Sequence, residues 1–344
     1  MVDEQRLESL CEQAEAALEN AQPEAARDLM EEALALSPRF GPALLLKIEA
    51  LFALGEVDDA LAAADDCAQL VADDPRALVR LADLLILGNG EDPEVVRTAL
   101  SHLAQAQRAS LRLTDPLLHS DLERSRGQAL LALDDLPGAA QALERARELA
   151  GDAADDDLLV ELAMIWFETL RFSEAAALLK SVLNRDPEHA DAVHYLGLLA
   201  ERQGDQRQAQ ELFERAREID PESYPEPVSV TDVELQEAIT RAKAALPPRV
   251  GEFLDAARIA VEPLPPLELL KGPPALSPLA TAITREPSGS PAAQPGTIHL
   301  YRQNLVRYCA DRDELDDEIA ATLLHEAIHA PGWSDDEPYE HGLH

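Results

Sequence analysis

The sequence predicts a mainly α chain: a solenoid of helical hairpins over residues 1–223, a linker at 224–230 and a small α+β domain over 231–344. Three observations predict it. Asp186-Pro187 and Asp220-Pro221 stand 34 residues apart, with Ala and Gly recurring at fixed offsets between them. After Pro221 the composition changes to Tyr224-Pro-Glu-Pro-Val-Ser-Val230, where each proline disfavours helix at its own position and the one before. Beyond that run, helical periods mix with two short strand-like stretches. At 344 residues the chain is long enough to bury two separate cores.

From the N-terminus, Ala26, Met30, Ala33 and Pro38 mark one unit, and Leu51, Ala60 and Cys67, ending at Pro75, mark another. Between Arg76 and about Asp115 the spacing stretches around Gly88-Asn89-Gly90, which predicts a long, irregular third unit. Gly127, Ala139, Leu143 and Ala146 belong to the next. Leu162, Ala163, Trp166, Ala175 and Leu179 precede Pro187, and Leu196, Gly197, Ala209, Phe213 and Ala216 close at Pro221. About six units result, each a helical hairpin whose small residues let two helices approach closely, and none buries enough apolar surface to stand alone. The pattern resembles a tetratricopeptide-repeat array, and that resemblance implies a concave face that binds a protein or peptide. Trp166 and Tyr195 are expected to pack between helices, and His189 and His194 to lie on the surface.

In the second domain, Thr231-Asp-Val-Glu234 has the spacing of a capping box, and the helix it opens is stopped at Pro247-Pro248. Residues 249–257 suggest a short second helix and 258–263 a strand. The Pro, Gly and Ser-rich stretch to Gly296 is long for a connection, which predicts either a flap or disorder. Thr297–Tyr301 alternates in polarity and reads as a second strand, in which His299 is a surface or cross-strand residue. Residues 313–329 form the final helix, with an acidic first turn suited to the helix dipole and Leu315, Ile319, Leu323 and Ile328 on its buried side.

That helix ends in His325-Glu326-Ala327-Ile328-His329, followed by Gly332 and Asp335. On a helix, residues four apart share a face, so His325 and His329 can reach one zinc ion (Zn2+) while Glu326 sits beside it. Catalytic zinc takes three protein ligands and leaves one position for water. Too few residues follow His329 for a third ligand from a distant helix. A sharp turn at Gly332 makes Asp335 the first carboxylate to return beneath the metal, with Asp336, Glu337, His341 and His344 as the other donors in reach. Glu326 is then the general base toward a zinc-bound water that attacks a peptide carbonyl.

From Ile298 onward, Ile-His-Leu-Tyr-Arg-Gln-Asn-Leu-Val-Arg-Tyr-Cys and Leu-Leu-His-Glu-Ala-Ile-His-Ala-Pro-Gly resemble a family of small bacterial proteins with a minimal zincin fold. The resemblance covers roughly residues 231–344 and implies a zinc metallopeptidase-like domain with His325, His329 and Asp335 as metal ligands and Glu326 as catalytic residue. One departure is Ala330-Pro331, where the family places a bulky or aromatic residue before the glycine.

The formal net charge of −37 argues against nucleic acid, whose phosphates need clustered Lys and Arg, and favours basic proteins or peptides as partners. Cys11, Cys67 and Cys309 are odd in number and far apart, which fits a reducing compartment. With neither a leader-like N-terminus nor a membrane-spanning stretch, the chain is expected to be cytoplasmic. The expected function is therefore a zinc metallopeptidase whose repeats recruit a substrate or partner. The alternatives are an interaction scaffold with a non-catalytic, metal-binding zincin domain, or a hydrolase of another bond.

Overall fold

The computed structural model describes residues 4–271, 276–278, 282–286, 296–307 and 309–328. The chain divides into two compact units between Thr169 and Leu170.

The first unit is helical throughout. Helices α1 (Glu4–Glu19) and α2 (Pro23–Leu36), α3 (Gly41–Ala53) and α4 (Val57–Leu70), α5 (Pro75–Asn89) and α6 (Pro93–Ser110), and α7 (Pro116–Ala132) and α8 (Leu136–Ala150) form successive antiparallel pairs, followed by α9 (Asp156–Glu168). The predicted marker residues are core: Ala26, Met30, Ala33, Leu51, Ala60, Cys67, Ala139, Leu143 and Ala146 are all buried. The third pair is long, as expected, and its turn at Gly90 is right-handed, with φ −66°. Asp74, Asp92 and Asp115 cap α5, α6 and α7 with their carboxylates, each before a proline whose missing N–H leaves no bond unmade at a helix start. Its extra length lies in α6, which runs for 18 residues.

The turn inside four helix pairs, but not the third, repeats in atomic detail. The N–H of Gln22 bonds Ala17 O at 2.9 Å and that of Ala21 bonds Leu18 O at 3.0 Å. The same two bonds recur at Glu56 and Gly55, Asp135 and Asp134, and Asp205 and Gly204. This double bond requires a left-handed residue after the helix, and φ is +53° at Ala21, +75° at Gly55, +60° at Asp134 and +82° at Gly204. Alanine at such a position has its Cβ crowded against the following carbonyl. Ala21→Gly is therefore expected to raise stability by about 0.5–1 kcal/mol, after the extra chain entropy of glycine is subtracted. A shift of the urea midpoint to higher concentration with unchanged slope would establish this, and no shift would refute it.

The second unit opens with α10 (Phe172–Arg185), α11 (Ala190–Arg202) and α12 (Gln206–Ile219). Thr231 and Glu234 then form the expected capping box at the start of α13 (Asp232–Ala245), and α14 (Pro248–Ala256) follows. Strand β1 (Arg258–Glu262), helix α15 (Leu267–Leu270), strands β2 (Ile283–Glu286) and β3 (Thr297–Tyr301), α16 (Arg302–Arg307) and α17 (Arg312–Ile328) complete the order. The sheet runs β1-β3-β2, with β1 parallel and β2 antiparallel to β3. Much of the Pro, Gly and Ser-rich stretch lies outside the described residues. Ile283–Glu286, inside that stretch, is nevertheless a strand, because the edge of β3 supplies its backbone partners. Ile298 and Leu300 of β3 enter one core with Leu235 and Ile239 of α13, Leu254 of α14 and Leu315, Ile319, Leu323 and Ala327 of α17.

His194 is not a surface residue. Its ring stacks on Tyr224 at 4.3 Å between centroids and lies 5.3 Å from Phe213. Burial, with a smaller contribution from the Arg307 cation, pushes its pKa down to about 4. The unfolded chain, with the ordinary His value of 6.5, therefore takes up the proton first. Stability from this source is complete above pH 6.5 and falls as the pH drops toward 4. Relative to His194→Phe, the wild type is expected to lose about 2 kcal/mol between pH 6.5 and 5. Parallel stability profiles of the two proteins would sink this expectation.

Candidate metal centre and interaction face

Helix α17 is held along one side and open along the other. The N–H of Glu314 bonds Asp311 Oδ1 at 2.9 Å at its start, and the Arg241 guanidinium grips both Asp316 oxygens at 2.8 and 2.9 Å. Arg312 pairs with Glu234 at 2.7 Å, so two ion pairs tie α17 to α13. Leu315, Ile319, Leu323 and Ala327, each four residues after the last, are the buried row. Ala327 closes that row among the described side chains, which do not include that of Ile328. His325 stands roughly 200° around the helix from Leu323 and is exposed, as that angle requires.

Glu326 belongs to the same helical turn. His329, Gly332 and Asp335 lie outside the described residues, as do Asp336, Glu337, His341 and His344. Among the described residues no three His, Cys, Asp or Glu side chains gather to hold a metal. The donor chemistry nevertheless fits zinc: α17 carries an imidazole at 325 on a face that the core leaves open, and imidazole is a favoured zinc ligand.

His299 is set apart from this face. Ile298 and Leu300 point into the core shared with α17, so His299 and Tyr301 point to the other side of the sheet. There His299 Nδ1 lies 2.9 Å from Glu262 Oε1 across the β1/β3 pair, and the hydroxyls of Tyr301 and Thr284 are 2.7 Å apart. It is a cross-strand residue, as expected.

One polar constellation had no signal in the sequence. Glu201 of α11 and Arg307 of α16 form an ion pair of 2.6 Å with side chains only 8% and 15% exposed. Its members are 106 residues apart, beyond any local pattern.

In the first unit, the first helices of successive pairs pack side by side and carry the charged surface. Glu49 of α3 pairs with Arg80 of α5, and Arg124 of α7 pairs with Glu161 of α9 at 2.7 Å. Asp83 lies among Arg80, Asp121 and Arg124, and burial pushes its carboxyl up to about 6. Next to this row is a cavity of about 650 Å³ lined by Glu15, Leu18 and Glu19 of α1, Leu45 and Glu49 of α3, and Arg80. Trp166 takes no part in this face. It is buried, donates from Nε1 to Glu144 at 2.9 Å and stacks under Arg147, which is the packing role expected of it.

Residues 254–342 match the zincin-like metallopeptidase family, and residues 17–84 and 170–228 match the tetratricopeptide repeat. The chain thus joins tetratricopeptide repeats to a zincin-like domain. Of solved structures, PilW, a widely conserved type IV pilus biogenesis factor, is 16% identical over 68% of this chain and 98% of its own, with a TM-score of 0.52. PilF of Pseudomonas aeruginosa is 15% identical over 69% of this chain and 98% of its own, with a TM-score of 0.51. Both likenesses concern the repeat fold alone. No curated protein matches the chain. The zincin-like match takes in α17 with His325 and Glu326 and continues past His329 and Asp335. No described helix is long and apolar enough to cross a membrane.

Proposed function

We propose that the protein is a zinc-dependent metallopeptidase in which His325, His329 and Asp335 hold the ion, Glu326 is the general base, and the repeats bind a protein or peptide that is the substrate or its carrier. The observation that carries this reading is the exposed His325 on the open face of a core-anchored helix, within a zincin-like match. A bound zinc ion supplies a Lewis acid for a peptide carbonyl and lowers the pKa of water. Glu326 takes the proton of the attacking water and passes it to the departing amine. The ion pairs of Arg241 and Arg312 join the start of α17 to α13, and the buried Leu323 and Ala327 anchor the turn that carries the base.

The net charge of −37 and the acidic residues around the cavity of α1 and α3 favour a basic partner and disfavour nucleic acid. Three free cysteines support a reducing compartment, which we take to be the cytoplasm.

Metal content by mass spectrometry tests the site. Purified wild type is expected to carry close to one zinc per chain, and His325→Ala and Asp335→Ala to lose it. A His325→Ala protein that keeps its zinc would end this reading. Loss in His325→Ala with retention in Asp335→Ala would move the third ligand to another donor of the C-terminal segment.

A further inference from the structure

We infer that the last helical hairpin of the array is a working part of the zincin-like domain, with Glu201 and Arg202 of α11 and Arg307 of α16 acting as positioning residues for the metal-bearing helix. The inference rests on the metal site proposed above for its functional consequence, but not for its geometry.

Two adjacent residues at the end of α11 hold three joints of the domain. The Arg307 guanidinium donates to Glu201 Oε2 at 2.6 Å and to Asn304 Oδ1 at 2.8 Å. The Asn304 amide, 1% exposed, donates to Pro278 O at 3.0 Å. Arg202 donates to the same Pro278 O and, at 2.7 Å, to Pro265 O. Pro265 follows β1, Pro278 precedes β2, and α16 links β3 to α17. Each strand of the sheet thus has, within five residues of one end, a group tied directly or through one residue to the end of α11.

The Glu201–Arg307 pair at its centre is largely buried, which decides its character. Burial pushes the Glu201 carboxyl up, and the Arg307 cation opposes this. A carboxylate taken from water is tolerated only with its partner in place, so the pair specifies one arrangement of α11 against α16 instead of merely adding attraction. The connection from Arg307 to α17 spans only residues 308–311, so a displaced α16 carries the start of α17 with it. Whatever binds the last hairpin therefore acts on the helix that bears His325 and Glu326.

The test uses the full chain and two readouts: hydrogen–deuterium exchange by segment, and zinc affinity by competition with a chromophoric chelator. Arg307→Gln is expected to speed exchange in residues 302–328 at least tenfold, to leave residues 4–150 unchanged and to weaken zinc binding at least tenfold. Arg207→Ala, which removes an exposed pair within α12, is expected to change neither. Should Arg307→Gln fail to fold, Arg202→Gln asks the same question through Pro265 and Pro278 without stranding a buried charge. Unchanged exchange in 302–328, or faster exchange spread equally over residues 4–150, would overturn the inference. If the wild type binds no zinc, the proposed metal site fails, and the exchange data alone still decide whether the hairpin positions α17.

Discussion

Glu326→Gln is expected to keep its zinc and lose peptide hydrolysis. Glutamine has the shape of glutamate and fits the same helical position, so neither α17 nor the proposed imidazole ligands need move. What it lacks is a basic oxygen that can take a proton from water near neutral pH. General base catalysis contributes about 10²–10⁴-fold, and in the proposed mechanism one carboxylate serves both proton transfers, so a loss in kcat/KM of about 10³-fold is expected. The measurement is turnover of an unstructured peptide library by wild type and variant, with metal content determined on the same samples. A variant that hydrolyses as fast as wild type would remove Glu326 from the mechanism. A zinc-loaded wild type inert toward every peptide would instead make the domain a metal-binding module served by its repeats.

The sequence made the repeats legible because their constraints are local. A helix pair needs small residues where its axes approach, and most pairs here turn through a left-handed residue; both recur in register, as Ala21 with Gly55 and Gly127 with Gly197 illustrate. The final helix was legible for the same reason, since Leu315, Ile319 and Leu323 declare its buried side and put His325 on the other. Long-range causes were not legible. Ile283–Glu286 is a strand because β3 offers an unpaired edge, not because four residues among prolines and glycines prefer it. Helix α16 has six residues, too few for a period to declare itself, and its Arg307 is explained by Glu201 of a repeat. His194 reads as a surface residue until Tyr224, in the linker, is stacked on it.

The spacing of α11 and α12 yields a second large effect, with a sign that depends on background. A Cβ placed on Gly197 would lie 2.7 Å from Phe213 Cε1 and 2.8 Å from Cδ1, and one on Gly127 would lie 2.8 Å from Leu143, the same contact in an earlier repeat. Neither gap admits a methyl group without displacing the facing side chain. Gly197→Val should therefore destabilise the protein by about 2–3 kcal/mol through overpacking. Gly197→Ala sets a smaller clash against the better helix propensity of alanine, about 1 kcal/mol, and should come out destabilising while the ring is present. In a Phe213→Ala background the facing side chain is gone and only the propensity remains, so the same Gly197→Ala change should become stabilising. A double-mutant cycle by urea unfolding measures this reversal, and additive effects would show that Phe213 does not demand the glycine. Because Glu201 and Arg202 lie on the next turn of α11, a shifted helix would also loosen its hold on Arg307 and Pro278. Gly197→Val is accordingly expected to lower zinc affinity as well as stability, although residue 197 lies outside the zincin-like match.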